Sequence, residues 1–423
     1  MTAKKFLTID ESFLPKGWKA SRLADVTGYI QRGKGPKYIE YSDLPVINQK
    51  CIRWIGIQKE HLKYVDPEQW SGWGKERYVR VGDVLWNSTG TGTIGRAALV
   101  KNLMAGEKYV VDSHVTIIRP RDIDPQYVHY WIMSPAVQGS IESMQSGSTN
   151  QVELSKSAVE TLPIPVAPPE QQKSIVAEIE KQFSRLDEAV ANLKRVKANL
   201  KRCKAAVLMA AVEGRLAPTE RPWKQVVLGD IATSIKNGYS KKPNAVHGTR
   251  IFRISAVRQM ELDVNDVRYL SGPPANYQSF LIESGDVLFT RYNGSREYVG
   301  VCVRVPGSLP PTVYPDKLIR IRVPGSMLLP EFLVILASTG RAREYIESKI
   351  RTTAGQSGIS GGDLKSLPLN IPRVADQRQI VAEVEGRLSF IEDLEATVKD
   401  NLIRADRLRQ SVLIQGFAGQ LVG

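Results

Sequence analysis

What is scarce in these 423 residues narrows the field first. The three cysteines, Cys51, Cys203 and Cys302, are odd in number and scattered, so neither a disulfide framework nor a paired metal motif is expected. The four histidines, His61, His114, His129 and His247, are not spaced as helix-borne ligand pairs, which argues against a metal site. The longest apolar run, at 205–212, falls far short of the roughly 20 residues a membrane span requires, so no membrane partner is expected. Residues 1–10 are too polar and too mixed in charge for a signal peptide. The expectation is a soluble cytoplasmic protein.

Catalytic signatures are equally scarce. No Walker A sequence and no Asn-Pro-Pro-aromatic or Asp-Pro-Pro-Tyr signature of an amino-methyltransferase occurs. Gly90-Thr91-Gly92-Thr93-Ile94-Gly95 fits G-x-G-x-x-G, but a dinucleotide site also needs a helix opening at once to face the pyrophosphate. The following stretch is short and ends near Gly106, so a tight hairpin is the better reading. Gly355-Gln356-Ser357-Gly358 is one position out of register with a nucleophile elbow. Pro315-Asp316 with Glu347-Ser348-Lys349 imitates the metal-binding carboxylates of a nuclease, yet Glu347 and Lys349 fall in an expected helix rather than on a shared sheet. No catalytic residue and no cofactor of the chain's own is expected.

Acidic residues are also outnumbered, 44 against 58 Lys plus Arg, for a net charge of +14. Such a surplus suggests a polyanion partner, although many proteins are basic without binding one. Hydrophobic content of 42% and charged content of 24% are ordinary for a globular chain, and the length allows two to four domains.

The dominant feature is a heptad pattern at 169–216. Ile179, Leu186, Leu193, Leu200 and Val207 recur every seven residues. Phe183 and Val190 fill alternate positions early, and Val196 and Cys203 do so later from a rotated face. That narrow apolar seam predicts a coiled-coil helix of roughly 65 Å at about 1.5 Å per residue. Gly214 and Pro218 mark its stop. A second copy follows 205 residues on, with Val384, Ile391, Val398, Ala405 and Val412 on the seam and Leu388, Leu394, Leu402 and Leu408 between them. The two helices are expected to pair with each other, rather than each covering its own domain.

The duplication extends beyond the helices. Trp18-Lys19, Leu23 and Asp25 correspond to Trp223-Lys224, Leu228 and Asp230. Gly82-Asp83-Val84-Leu85-Trp86 corresponds to Gly285-Asp286-Val287-Leu288-Phe289, and Leu162-Pro163 to Leu367-Pro368. Each half reads as mixed α/β. Strand-like runs stand at 79–86, 97–101 and 115–119, and again at 287–290, 299–305 and 318–323. Interspersed Gly, Asn and Pro favour a curved or barrel-like sheet. One helix is expected at 125–143 and one at 330–349.

The halves diverge in their loops. Arg32, Lys34, Lys37, Arg53 and Trp54 in the first, and Lys236, Lys241, Lys242 and Arg253 in the second, interleave basic residues with glycine and aromatics. That mixture suits phosphate contact plus stacking on bases or sugars, though plain solvated turns would look similar. Asn87, Ser88 and Thr89 after one central strand, and Arg291, Tyr292, Asn293 and Arg296 after its counterpart, are polar loops able to present base readers.

Taken together these residues resemble a known family. The lead-ins Ser148-Thr149-Asn150-Gln151, Leu154-Ser155, Leu162-Pro163-Ile164-Pro165 and Glu170-Gln171-Gln172, echoed by Gln356-Ser357, Ile359-Ser360, Asp363-Leu364 and Leu367-Pro368, resemble the DNA specificity (S) subunit of type I restriction–modification enzymes. The likeness covers nearly the whole chain in two copies. It departs at Arg373-Val374-Ala375-Asp376, which stands where the first copy has Pro168-Pro169-Glu170 and blurs the second helix start. The resemblance implies an α+β fold of two target recognition domains, 1–168 and 217–373, with helices at 169–216 and 374–423 pairing as an antiparallel coiled coil.

By the same resemblance each domain would read one half of a split site in double-stranded DNA, and the helices would set the gap. Two methyltransferase subunits would dock on the helices and two motor–nuclease subunits would join them. S-adenosylmethionine, ATP and Mg²⁺ would then belong to those partners. Two rivals remain: a standalone DNA methyltransferase or nuclease, and a structural coiled-coil scaffold that does not read DNA.

Overall fold

The structure is a computed structural model and describes residues 7–103, 107–146, 152–217, 221–353 and 355–422. Ser148 to Gln151, Gly106 and Pro218 lie outside the described residues. The chain divides into two compact units, Met1–Leu193 with Asp400–Gly423, and Lys194–Lys399. Two helices of 44 residues, Pro169–Val212 and Val374–Phe417, therefore each contribute one stretch to either unit.

In the first unit a four-stranded antiparallel sheet runs in the order Thr27–Arg32, Val115–Pro120, Val84–Asn87, Ala97–Leu99. The second repeats it as Ser234–Asn237, Leu318–Arg322, Val287–Thr290, Cys302–Arg304. Val84–Asn87 and Val287–Thr290 are buried at every position, which is why their sequences read as continuous rather than alternating apolar runs. A smaller sheet stands beside each, with one parallel pair: Pro45–Ile47 with Val110–Val111, and Thr249–Phe252 with Thr312–Val313.

Repeated motifs turn out to be fasteners. Lys19–Arg22 pairs antiparallel with Pro163–Val166, and Lys224–Val227 with Pro368–Ile371, so each Trp-Lys entry is tied to its Leu-Pro exit. In the Gly-Asp turns, buried Asp83 takes two bonds from Arg119 (2.7 and 2.8 Å), and buried Asp286 takes two from Arg322 (2.6 and 3.2 Å). Buried Gln172 donates to the Ala167 carbonyl and accepts from the Asp124 amide; Gln377 does the same with Pro372 and Leu329. Burial of an amide is tolerated because both of its ends are satisfied.

The helix expected at 125–143 is two, Pro125–Met133 and Pro135–Met144. Pro135 holds Ser134 in extended backbone, which ends the first helix, and the Ser134 hydroxyl accepts from the Val137 amide to start the next. Its counterpart is also two, Pro330–Ser338 and Gly340–Lys349, broken where Thr339 is extended and Gly340 has φ +60°.

The long helices pack antiparallel. In the first unit Gly416 lies against Ile175 and Ile179, while Arg409 pairs with Asp187 and lies over the Phe183 ring. In the second, Lys204 pairs with Glu395 at 2.9 Å and Glu392 at 3.6 Å. Ile179, Leu200, Val384, Ile391, Val398, Ala405 and Val412 are buried, and Leu186, Leu193 and Val207 partly so. The alternate positions differ from the sequence reading. Lys197, Lys204, Glu395 and Arg409 occupy them in mid-helix; the last three are partly buried, whereas Val196, Cys203, Leu394 and Leu408 are exposed. The seam holds a strict four–three spacing, and Lys204, Glu395 and Arg409 meet opposite charges from it, whereas Lys197 is exposed. Both helices end in the same Schellman turn. Arg215 bonds Ala210 and Gln420 bonds Gln415 around Gly214 and Gly419, whose φ of +72° and +67° favour glycine.

Candidate nucleic-acid interface

The end of each central strand is anchored the same way. Ser88 donates its amide to His114 and accepts from Leu154; Arg291 donates to Lys317 and accepts from Ile359. The loop after the strand is thereby joined to the turn before the neighbouring strand and to the lead-in of the long helix. A glycine completes the frame: a Cβ on Gly33 would meet the Val111 carbonyl oxygen at 2.0 Å, and one on Gly238 the Pro315 carbonyl oxygen at 2.2 Å.

On that frame the first unit assembles a polar rim. Arg32 donates to the Ser113 carbonyl at 3.0 and 2.7 Å and pairs with Glu153 at 2.8 Å. Thr89 shares a 2.5 Å hydrogen bond with His114. Gln49 stitches a hairpin to the loop: its backbone carbonyl accepts from Asn87 (3.1 Å) and its side chain from Thr93 (2.8 Å). The G-x-G-x-x-G segment is the turn between Val84–Asn87 and the antiparallel Ala97–Leu99, with no helix after it.

The hairpin itself pairs Ile52–Arg53 with Gly56–Ile57, leaving Trp54 and Ile55 at the tip, 42% and 89% exposed. Cys51 and Ile52 are fully buried beneath it, and burial pushes the Cys51 thiol up to about 11. Arg53 donates to Gln58 at 2.9 Å. Lys34 reaches the Gly72 carbonyl, and Lys37 pairs with Asp66 at 2.7 Å; that hydrogen bond raises the lysine pKa and lowers the carboxyl's.

Asn87 and Ser88 are placed in the interior. Both are fully buried, Asn87 donating to Gln49 and Thr93, and Ser88 bonding Trp86 and Thr116. Neither side chain offers surface to a nucleic acid. They hold the loop that presents Thr89.

In the second unit Arg291 donates to the Asp316 carbonyl (3.3 Å) and lies 4.6 Å over the Tyr292 ring. Arg32, at the end of Thr27–Arg32, and Arg291, just after Val287–Thr290, thus support equivalent turns, each within its own unit. Tyr292–Asn293 pairs with Gln356–Gly358, and the Asn293 carboxamide oxygen accepts from the Ser295 amide. Arg296 caps the preceding carbonyls of a helix end, Glu347 at 2.9 Å and Ile350 at 3.3 Å. Lys236 reaches the Ser279 carbonyl over Phe280, and Arg253 pairs with Asp266. Lys241 and Lys242 are exposed and make no hydrogen bond or ion pair among the described residues.

Comparison with known proteins matches this organisation. Residues 15–202 match the type I restriction modification DNA specificity domain. The specificity subunit of the type I restriction enzyme EcoKI from Escherichia coli strain K12 is 34% identical, over 96% of this chain and 90% of that protein. The chain belongs to the family of type I restriction enzyme specificity subunits. A second relative in that family, the StySPI specificity subunit of Salmonella potsdam, is 24% identical over 96% of this chain and 90% of its own. Among solved structures, a chain from a study of complex assembly and conformational transition of a type I R-M system superposes with a TM-score of 0.75 at 19% identity, covering 96% of this chain and 99% of its own. The HsdS subunit from Thermoanaerobacter tengcongensis gives 0.58, also at 19% identity, over 96% and 98%. These show the shared fold.

Asn87 and Ser88, expected on a polar loop, are instead buried at the end of the central strand. Two signals in the sequence bear on that depth. Asn87 and Ser88 continue an apolar strand without a turn residue between, and Gln49 lies just before the aromatic hairpin it anchors.

Proposed function

We propose that each unit reads one half of a split, asymmetric DNA site and that the long helices set the gap between the halves. The carrying observation is the duplicated frame with divergent rims: identical backbone anchors at Ser88 and Arg291 hold loops with little sequence in common. A common frame lets two half-sites differ while their register is kept. In this reading Arg53 and Trp54 on the first hairpin, with Lys241, Lys242 and Arg253 in the second unit, meet DNA directly. Arg32, Arg291 and Arg296 orient the loops beside it.

Methyltransferase subunits dock on the outer faces of the helices, where Val196, Leu394, Leu408 and Phe390 are exposed, and motor–nuclease subunits join them. Two of each is the proposed stoichiometry. Adenine methylation, ATP-driven translocation and cleavage, with S-adenosylmethionine, ATP and Mg²⁺, belong to those partners, and this chain carries no catalytic residue.

Lys241 and Lys242 test the electrostatic half of this. Replacing both by alanine should weaken specific and random DNA alike and reduce the slope of log affinity against log salt by about 1.8, the effect of two phosphate contacts on duplex DNA. An unchanged slope in a salt titration would remove these lysines from the interface.

A further inference from the structure

The first unit's hairpin tip has a counterpart in the second, and the two are used differently. Val257–Arg258 pairs with Glu261–Leu262 around Gln259 and Met260. That tip is folded onto its own unit: the Met260 amide donates to Cys302, Gln259 donates to the Ser338 carbonyl at 3.0 Å, and the Met260 side chain packs on the core. Among the described residues no side-chain hydrogen bond or ion pair holds Trp54 or Ile55, which are 42% and 89% exposed. Ile55 is the more exposed of the two, on a two-residue turn whose base is locked by buried Cys51 and Ile52 and stitched to the rim through Gln49.

A large apolar pair held rigidly in water costs solubility unless something covers it, and the surroundings say what. Lys50 and Arg53 flank the tip, and the loop it is stitched to is the one that carries the first unit's rim. A positive collar around an apolar point suits a charged polymer with an apolar interior, which is duplex DNA: phosphates outside, stacked bases within.

We infer that Ile55 is a wedge that enters a base step in the half-site read by the first unit, with Trp54 stacking beside it and Arg53 and Lys50 on the flanking phosphates. This rests on the DNA-reading function proposed above. It adds that the two half-sites are read unequally, one with local unstacking and one without. Opening a step is easiest at flexible pyrimidine–purine steps, so the wedge selects sequence by deformability at a place no hydrogen bond reads.

The test uses the full chain in complex with its methyltransferase subunits. Duplexes carrying the split motif that the complex methylates are labelled with 2-aminopurine at successive positions of both half-sites. One position outside the methylated adenine should brighten with the native chain and stay dark with Ile55→Ser. Affinity for the motif should fall about tenfold while random DNA changes less than twofold. Ile55 is 89% exposed, so its replacement leaves the core intact, and methylation of an unlabelled duplex carrying the motif by the variant complex serves as the internal check. Equal brightening with native and variant chains, or none outside the methylated adenine in either half-site, overturns the wedge. A complex whose methylation shows no split motif dependent on this chain overturns the DNA-reading function instead.

Discussion

At the scale of single residues the interior makes stronger commitments than the rim. His129 is buried between the Gln126 side chain and the Ala97 carbonyl, and burial pulls its pKa down to about 4. The folded state therefore holds it neutral, while the unfolded chain takes up a proton below about 6.5. Its contribution to stability is complete above that pH and is lost progressively from about 6.5 down to about 4, at roughly 1.4 kcal/mol per pH unit. His129→Gln should flatten the acid limb of the first unit's urea stability curve; an equally steep limb would show that other groups govern it. The Asp83–Arg119 and Asp286–Arg322 pairs lead to a second expectation. Asp83→Ala and Asp286→Ala each remove a buried carboxylate that takes two charge-assisted bonds, although Arg119 keeps the Glu76 and Tyr78 carbonyls and Arg322 keeps Glu283, and each should destabilise its own unit by about 2 kcal/mol, readable as a lowered melting transition. The Gly-Asp repeat was visible in the sequence, but its partners were not, because Arg119 and Arg322 lie 36 residues further along and only the sheet brings them back.

At the scale of elements the heptads were legible because a narrow apolar seam has one physical use. What the sequence reading misplaced was the alternate row. Apolar Val196, Cys203, Leu394 and Leu408 stand one position from charged Lys197, Lys204, Glu395 and Arg409, and hydrophobicity alone favours the former. Packing chose the charged row, since Lys204, Glu395 and Arg409 lay their stems along the seam and meet opposite charges across it. Lys204→Glu should therefore destabilise the second unit by about 1 kcal/mol, and adding Glu395→Lys should recover most of that loss. A double-mutant cycle in urea with no coupling between the two would deny the pair a role in register. The paired short helices show a different limit: Pro135 was readable as a break, whereas the break at Thr339–Gly340 depends on a backbone angle that a lone glycine does not announce.

At the scale of the whole molecule duplication is joined to asymmetry. One frame occurs twice, with the same fasteners 203 to 205 residues apart, so fold and family were legible throughout nearly the whole chain. The rim was not, because exposed loops obey no periodicity and their depth is set by long-range contacts such as Gln49 with Thr93. Deleting one heptad from both helices, 194–200 with 391–397, should change the preferred gap between half-sites while leaving the half-site sequences intact. An unchanged gap would mean that the helices do not set it. The most direct measurement is to co-express the chain with the methyltransferase subunit of its own system and map methylated adenines across genomic DNA. The account predicts methylation at one split motif with a fixed gap, lost when this chain is omitted. A pattern that persists without the chain, or a motif without a gap, would contradict it.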